Sequence, residues 1–393
     1  MRPVRLGSRA PAGSPAGAGG TWRRLPAAFW LLALVNLLVG GMVGLERSVV
    51  PALGAEEFGL ERGGALAAFV ISFGISKAAV NLVAGLLADR IGRRRVLLLG
   101  WAVGLPVPVL LIWAPAWTWV IVANVLLGVN QALTWSMTVN MMVDLAPPSQ
   151  RGFAAGINEF AGYLGVSIVA FLTGLVAAAS GLRPEPFYLG VAVSVAGLAL
   201  ASAVPETAPT ARPGGIAWVR GVGVPSLLGG ATNLKDGLVW LALPLVMAAK
   251  GFDLAQIGLV AGTYPLVWAV GQVAFGSLSD RVGRRALVLP GTFLQGASLV
   301  FLGSASTLVA LLLAAVGLGL GTAMVYPTLI ALVADRVPVG SRATALGVYR
   351  FFRDGGTALG AVAAAAGFAS LSGAFVAGGV VLIVLAVASW RAV

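Results

Sequence analysis

The stretch Gly85-Leu86-Leu87-Ala88-Asp89-Arg90-Ile91-Gly92-Arg93-Arg94-Arg95 has a second copy, Gly276-Ser277-Leu278-Ser279-Asp280-Arg281-Val282-Gly283-Arg284-Arg285. Asp280 follows Asp89 by 191 residues (280 − 89 = 191), which is close to half of the 393-residue chain. The same offset aligns residues 144–156 on residues 335–347 without a gap. A register kept over this length indicates that the chain is an internal duplication.

The composition of the chain is that of a membrane protein. Hydrophobic residues make up 59% of it and charged residues 10%, with a mean hydropathy of +0.94, whereas a soluble domain carries about a quarter charged residues. Apolar runs of about 20 residues, each long enough to cross a bilayer as a helix, recur throughout. These runs predict twelve spans, at residues 27–53, 64–88, 96–114, 117–144, 152–180, 186–204, 218–249, 254–279, 286–304, 307–335, 342–371 and 373–390.

The spans and the duplication together predict the domain organisation. Residues 1–24 are rich in Ala, Gly, Pro and Arg, so we expect a disordered tail. Residues 25–204 form the first six-helix bundle and residues 218–393 the second, with residues 205–217 as the linker. The predicted fold is therefore all-α and integral to the membrane, with two bundles related by a pseudo-twofold axis along the membrane normal.

The net charge of +12 is distributed as in a membrane protein and not as in a nucleic-acid-binding one. Arginine clusters occupy the tail, the two copies of the repeated loop, the linker and the loop near Arg336 and Arg342. The intervening loops carry few cations, which is the positive-inside pattern. It predicts a multi-pass protein of the cytoplasmic membrane with both termini in the cytoplasm.

The residue types that the chain lacks restrict its chemistry. It has no cysteine and no histidine, so disulfides and thiolate metal sites are excluded, and we predict neither a metal nor a cofactor. With no Walker-type phosphate loop in the sequence, an enzyme is not expected. Any coupling to protons would have to use carboxylates.

The pattern Gly-x-Leu-x-Asp-Arg-x-Gly-Arg-Arg between the second and third spans resembles the signature loop of the major facilitator superfamily. Its echo between the eighth and ninth spans fits the same family, and the resemblance covers residues 27 to 390 or so. The resemblance implies a monomeric secondary transporter that works by alternating access. Its substrate site would lie between the two six-helix halves.

The resemblance also implies a gating role for the repeated loop. In the family, the aspartate that matches Asp89 holds the cytoplasmic side closed against the eleventh span, and Arg93 is then a partner for an acidic residue such as Asp144. The alternative is that these arginines only set the topology. The positions assigned to gating are Gly85, Asp89, Arg93, Asp144, Arg151, Gly276, Asp280, Arg284, Asp335 and Arg342.

Several ionisable side chains fall inside the predicted spans, where charge is costly and marks a cavity or an ion pair. Lys77, Asn81, Gly85 and Asp89 step by four along the second span, so they share one helix face. Glu159 is the first candidate for a proton-carrying carboxylate, since burial favours the neutral form of a carboxyl group. The candidates for substrate binding or coupling are Glu46, Arg47, Lys77, Glu159, Lys235, Asp236, Arg350 and Asp354.

Each of these charges could instead be a structural ion-pair partner. Glu159 and Arg350 occupy equivalent positions of the two halves, so they could meet across the pseudo-twofold axis. The possible cavity-lining residues are Asn124, Gln131, Trp135, Tyr163, Asn233 and Tyr326. Asn124 stands where drug/proton antiporters of this family usually have an arginine, which makes an ordinary multidrug pump less expected.

The sequence thus predicts a secondary active transporter of a small polar or charged solute, anionic or zwitterionic. We expect coupling to protons, and export is favoured slightly over import on general grounds only. The alternatives are a multidrug or metabolite efflux antiporter with an apolar cavity, a uniporter, and a channel or receptor without alternating access. The predicted partners are the solute, protons and the lipid bilayer.

Overall fold

The computed structural model describes residues 25–60, 64–207, 219–252, 254–366 and 371–391. Two sets of helices follow one another along the chain. The first set is α1 (Ala27–Glu56), α2 (Gly64–Ile91), α3 (Arg93–Gly104), α4 (Pro106–Trp113), α5 (Trp117–Leu145), α6 (Arg151–Ser180) and α7 (Glu185–Ser202). The second is α8 (Val219–Ala249), α9 (Leu254–Val282), α10 (Arg285–Ser304), α11 (Leu308–Arg336), α12 (Arg342–Ala366) and α13 (Leu371–Ala388).

The third predicted span, residues 96–114, corresponds to one apolar segment, Arg93–Trp113, which is divided into two helices. α3 ends at Gly104 and α4 begins at Pro106, because proline has no amide hydrogen to continue the helical hydrogen bonds. The eleventh predicted span, residues 342–371, corresponds to α12, which is described as far as Ala366. The predicted tail, 1–24, and most of the predicted linker lie outside the described residues.

Nine segments of the described chain are long and apolar enough to cross a membrane by their own composition. They correspond to α1, α2, α3 with α4, α5, α6, α7, α10, α11 and α13. The three other long helices are α8, α9 and α12. Of these, α8 carries Lys235 and Asp236 in mid-helix, and α12 carries Arg350, Arg353 and Asp354. The fold is the expected all-α membrane architecture, and the described residues form twelve long helical segments when α3 and α4 are counted as one.

Each half has its own hydrophobic core. The core of the first half includes Phe29, Met42, Trp101 and Phe187, and that of the second includes Trp268, Leu299 and Phe375. The halves meet mainly where α2 packs on α12 and where α6 packs on α9. A third apolar cluster, with Val139 and Val143 from the first half and Leu329 and Leu346 from the second, joins them near one end.

Candidate functional site

At the end of the molecule that carries Asp89 and Asp280, each of these aspartates binds the first turn of a helix of the other half. Asp89 accepts the backbone N–H of Thr344 (3.1 Å) and its hydroxyl, and Asp280 accepts the backbone N–H groups of Gly152 (3.0 Å) and Phe153 (3.0 Å). The amides of a first helical turn have no partner within the helix and attract anions. We call these contacts of Asp89 and Asp280 the gate.

Ion pairs around the gate follow the same symmetry. Asp144 binds Arg93 (2.7 Å) of its own half and Arg342 (2.9 Å) of the other. In the other copy, Asp335 binds Arg284 (3.1 Å) of its own half and Arg151 (3.0 Å) of the other. The pair of Arg93 with Asp144 expected from the sequence is therefore present. Both aspartates tie the two halves together.

Glycines allow the helices of the gate to approach closely. A Cβ atom added to Gly347 of α12 would lie 2.5 Å from the backbone oxygen of Asn81 and 3.3 Å from Cα of Gly85. A Cβ on Gly276 would lie 2.4 Å from the backbone oxygen of Gly152. Side chains at these positions would hold the helices apart and lengthen the hydrogen bonds of Asp89 and Asp280.

The repeated loop is shaped by one glycine in each copy. Gly92 and Gly283 have φ angles of 94° and 90°, which residues with a side chain rarely adopt. Just after Gly92, the carboxylate of Glu206 accepts the backbone N–H groups of Arg93 (3.0 Å) and Arg94 (3.2 Å). Glu206 thus caps α3, a role that the sequence did not indicate because the residue is distant along the chain.

Further into the molecule, Glu159 of α6 lies between the halves with its side chain 1% exposed. Its Oε1 accepts from Trp135 Nε1 (2.9 Å) and Asn158 Nδ2 (3.2 Å), and it lies 3.4 Å from Nη2 of Arg350. The two residues at equivalent positions of the repeat therefore meet. Oε2 of Glu159 has no hydrogen-bond partner among the described residues.

The second carboxylate at this level is Asp354 of α12. Its Oδ1 accepts from Arg353 (2.7 Å) and Asn233 (3.4 Å), and its Oδ2 from Asn81 (2.6 Å). Lys77 of α2 lies 3.9 Å from Oδ2. We call Lys77, Glu159, Arg350, Arg353 and Asp354 the central cluster. It is assembled from both halves, and its two longest ion pairs, Glu159 with Arg350 and Lys77 with Asp354, cross between them.

Aromatic side chains from both halves pack beside the central cluster. Tyr163 lies 5.4 Å from Trp135 of its own half and 4.0 Å from Trp268 of the other, measured between ring centroids. Trp268 contacts Tyr326 (5.0 Å) in turn, and the Arg353 guanidinium lies 4.7 Å from the Tyr326 ring. Charge and an apolar surface therefore adjoin at the same place between the halves.

Comparison with known proteins identifies the architecture. The family model described as Major Facilitator Superfamily matches residues 29–222 and 226–393. The chain belongs to the Major Facilitator Superfamily. It is therefore a multi-pass membrane transporter and not an enzyme, because transport is what members of this superfamily do.

Individual relatives of this superfamily protein are distant. An uncharacterized MFS-type transporter of Salmonella typhimurium is 29% identical over 289 residues, 69% of this chain and 72% of the relative. A probable sulfoacetate transporter of Cupriavidus necator is 26% identical over 151 residues, 38% of this chain and 31% of the relative. The structure of the human organic anion transporter MFSD10 superposes with a TM-score of 0.77 at 17% identity, covering 92% of this chain and 99% of that one.

Two of the predicted site residues of this superfamily member form a pair inside the second half. Nζ of Lys235 lies 2.7 Å from each of Asp236 Oδ1, the Tyr264 hydroxyl and the Thr322 hydroxyl, and Tyr264 also donates to Asp236. The lysine therefore has three partners, on α8, α9 and α11. These contacts cross-link three helices of one bundle, and neither charge belongs to the central cluster.

Four other predicted site residues also belong to the first half: Glu46, Arg47, Asn124 and Gln131. Glu46 is 4% exposed and lines a small pocket with Asn124, Phe69 and Phe73. Nε2 of Gln131 donates to the backbone oxygen of Val39 (2.9 Å), so Gln131 holds α5 on α1, and its place in a cavity lining stays a prediction. The side chain of Arg47 lies outside the described residues.

The predicted site residues do not include Tyr264, Thr322 or Tyr349. Tyr264 and Thr322 bind Lys235, outside the central cluster, whereas Tyr349 lies beside Arg353 of that cluster. Tyr264 stacks on Trp268 at 5.8 Å and binds Lys235, and the Arg353 guanidinium lies 5.8 Å from the Tyr349 ring. A signal for Tyr264 existed. Adding 191 to Lys77, Asn81, Gly85 and Asp89 gives positions 268, 272, 276 and 280, and Tyr264 extends that step of four by one position on the same helix face. No comparable pattern marks Thr322 or Tyr349.

Proposed function

We propose that this protein is a secondary active transporter that moves a small polar or charged solute by alternating access at the central cluster. The observation that carries the proposal is the buried charge contributed by both halves. Charged groups in the membrane interior are costly and mark a pathway or a site. The pairs of Glu159 with Arg350 and of Lys77 with Asp354 separate when the halves do, so opening and ion-pair breakage are linked.

The contacts of the gate indicate which end of the molecule is closed. Asp89 and Asp280 bind helices of the opposite half, so this end is closed. Arg90, Arg95, Arg281 and Arg285 are exposed at the same end, and arginine-rich loops stay on the cytoplasmic side of a membrane. We assign this end to the cytoplasm, with both termini there and the protein in the cytoplasmic membrane. A solute would then reach the cytoplasm only after the gate contacts break.

Glu159 is the residue that we assign to proton coupling. Three groups hold its Oε1, whereas Oε2 has no partner among the described residues and can carry a proton without losing a hydrogen bond. A proton there weakens the attraction between Glu159 and Arg350. Proton binding is thereby linked to a contact between the halves.

One relative supports the solute class. The probable sulfoacetate transporter of Cupriavidus necator is named for a small, polar and charged solute, the class for which a charged central site is suited. An apolar solute would take water or hydrogen-bond partners away from several charged groups without replacing them, which is unfavourable. The aromatic side chains around Tyr163 favour a second candidate, an efflux antiporter for larger apolar compounds.

The test is proton flux in proteoliposomes loaded with a pH-sensitive dye, recorded in both directions. Small anions, zwitterions and lipophilic cations serve as solutes. Wild type is compared with Glu159→Gln and, as a matched carboxylate-to-amide change outside the central cluster, Asp236→Asn, each normalised to the amount of folded protein. We expect one small polar solute class to drive protons in wild type and Asp236→Asn, and no proton signal in Glu159→Gln.

Other outcomes of the same assay select other functions. Solute movement with no proton signal in wild type would make the protein a uniporter or couple it to another ion. Proton signals with lipophilic cations alone would favour the second candidate, an efflux antiporter for larger apolar compounds. Loss of coupling in Asp236→Asn with retention in Glu159→Gln would move the coupling site into the second half.

A further inference from the structure

The central cluster carries more positive than negative charge. Among the described residues that meet there, Lys77, Arg350 and Arg353 are cationic, and Glu159 and Asp354 are carboxylates. All five side chains are at most 15% exposed. The Lys235–Asp236 pair is neutral by itself and does not alter this balance. A buried excess cation is costly without an anion nearby.

The two arginines also have unused hydrogen-bond donors. Nε and Nη1 of Arg350 and Nη1 of Arg353 are buried and have no acceptor among the described residues. Both oxygens of Asp354 are already engaged, and Oε1 of Glu159 has three donors. A buried donor without an acceptor is unfavourable, so these N–H groups indicate an acceptor that enters with a ligand.

An apolar surface adjoins these donors. The Arg353 guanidinium lies over Tyr326, which packs against Trp268 and Tyr163. An arginine side chain binds carboxylate, sulfonate or phosphate oxygens in pairs, while aromatic rings bind the carbon skeleton of a small molecule. The arrangement therefore matches a compact molecule with an acidic group at one end.

We propose that the transported solute is a small organic anion whose acidic group binds Arg350 and Arg353, with its carbon skeleton against the Tyr163, Trp268 and Tyr326 rings. This proposal rests on the proposed function and names its substrate class. One added negative charge balances the central cluster and gives the free guanidinium N–H groups their acceptor. Because these side chains are buried in the closed conformation, the anion reaches them after the halves separate.

Glu159 and the solute compete for Arg350. The other charged or titratable groups that face Glu159 are Lys77 on α2, Tyr163 on α6, Tyr326 on α11, and Tyr349 and Arg353 on α12. A neutral side chain at position 159 would release Arg350 for the solute. Glu159→Gln should therefore bind the anion at least as tightly as wild type, even though we expect it to lose proton coupling.

The test measures binding by thermal stabilisation and calorimetry of the purified full chain in detergent, which does not depend on transport. The probes are benzoate, sulfoacetate and glucose 6-phosphate, with glucose and choline as neutral and cationic counterparts. We expect binding by one or more of the three anions and by neither counterpart, and the three probes separate carboxylate, sulfonate and phosphate preference. In Arg350→Gln the Kd should rise roughly tenfold to a hundredfold, with partial recovery in Arg350→Lys.

Arg183→Gln removes an arginine outside the central cluster, one that pairs with Glu57 near the start of α7, and serves as the control that keeps wild-type affinity. Anion binding that survives Arg350→Gln, binding of glucose or choline in preference to the anions, or no anion binding at millimolar concentration would overturn the proposal. Anion binding that requires Arg350 without solute movement in proteoliposomes would leave it standing and refute the transport function instead.

Discussion

Lys235 and Asp236 form a buried pair whose contacts cross-link helices of the second half. Both were candidates for substrate or proton binding, because charges in a predicted span usually have a function. The structure gives the lysine three partners within 2.7 Å on three helices of one half. Nothing in the sequence places Tyr264 and Thr322 around it, since they lie on other helices and their contacts depend on how α8, α9 and α11 pack.

Asp236→Asn should therefore cost stability more than coupling. The amide leaves a buried ammonium without its counter-charge, and breaking a buried pair in this way costs about 3 kcal/mol. We expect a clear fall of the apparent Tm of the purified protein in detergent, with proton coupling retained by the protein that remains folded.

A double variant separates charge from packing. Lys235→Met combined with Asp236→Leu removes both charges, so it should be more stable than Asp236→Asn. If Asp236→Asn is as stable as wild type but no longer moves protons with solute, Asp236 is the coupling group and the structural assignment is wrong.

Some contacts of the central cluster could be predicted from the sequence. The common offset of the repeat indicated that Glu159 and Arg350 could meet. In the structure, Oε1 of Glu159 lies 3.4 Å from Nη2 of Arg350. Four of the residues predicted to line a cavity contact the central cluster or its aromatic neighbours: Trp135, Tyr163, Asn233 and Tyr326. The Gln131 amide joins α5 to α1. Spacing alone does not assign a helix face to the inside of one bundle or to the other bundle.

At the scale of helices, the stripes that step by four are the surfaces on which the halves meet. The stripe of Asn81, Gly85 and Asp89 faces α12, and the stripe of Gln272, Gly276 and Asp280 faces α6. Glycines at the crossings bring backbones together. Closure of the gate therefore depends on small residues as much as on its aspartates.

Gly347→Ala should weaken the closed gate. The new methyl group would lie 2.5 Å from the backbone oxygen of Asn81, so α2 and α12 must move apart, and overpacking of this kind should speed gate opening about tenfold. The measurement is the rate at which a thiol reagent labels Val139→Cys, a buried position of the apolar cluster near the gate. The chain has no cysteine of its own, so the background is zero.

Gly223→Ala is the matched control for this change. It lies in α8, and a Cβ there meets nothing within 4 Å, so it gains the same helix propensity without the clash. Its labelling rate should equal that of the parent. Equal rates for both glycine variants would show that the α2–α12 contact does not hold the gate closed.

Helix positions were predictable from the apolar runs, because a membrane requires every backbone group to be bonded within the helix. The division of the third span into α3 and α4 at Pro106 was not predicted, although proline is a known helix breaker. The mean hydropathy of a span does not change where its helix is interrupted, so an apolar run does not reveal such a break. α2 continues to Ile91, past the predicted end of the second span at residue 88, because the repeated loop motif begins within the helix.

At the scale of the whole molecule, the duplication accounts for the arrangement of the gate. Two interactions in one half have counterparts 191 residues along: Asp89 with Thr344 corresponds to Asp280 with Phe153, and Arg93 with Asp144 to Arg284 with Asp335. The centre departs from this symmetry. Glu159 and Arg350 stand at equivalent positions but have opposite charges. The two halves therefore contribute different charges to the central cluster, although their helices follow the same repeat.

The account depends on the two halves separating along α2 and α12 during transport. The position of Ala78 allows this to be tested, because its Cβ lies 3.9 Å from where a Cβ of residue 355 would lie, a distance suited to a disulfide. A cross-link between α8 and α11, made by Gly221→Cys with Arg336→Cys, has a corresponding distance of 3.5 Å but stays within one half and serves as the control.

The most direct measurement is solute uptake by proteoliposomes that contain Ala78→Cys with Gly355→Cys, assayed after oxidation and again after reduction, with cross-linking quantified on the same samples. Alternating access predicts that uptake falls to background in the oxidised protein and returns on reduction, while the control within the second half transports in both states. Uptake at the wild-type rate by fully cross-linked Ala78→Cys/Gly355→Cys protein would contradict the account.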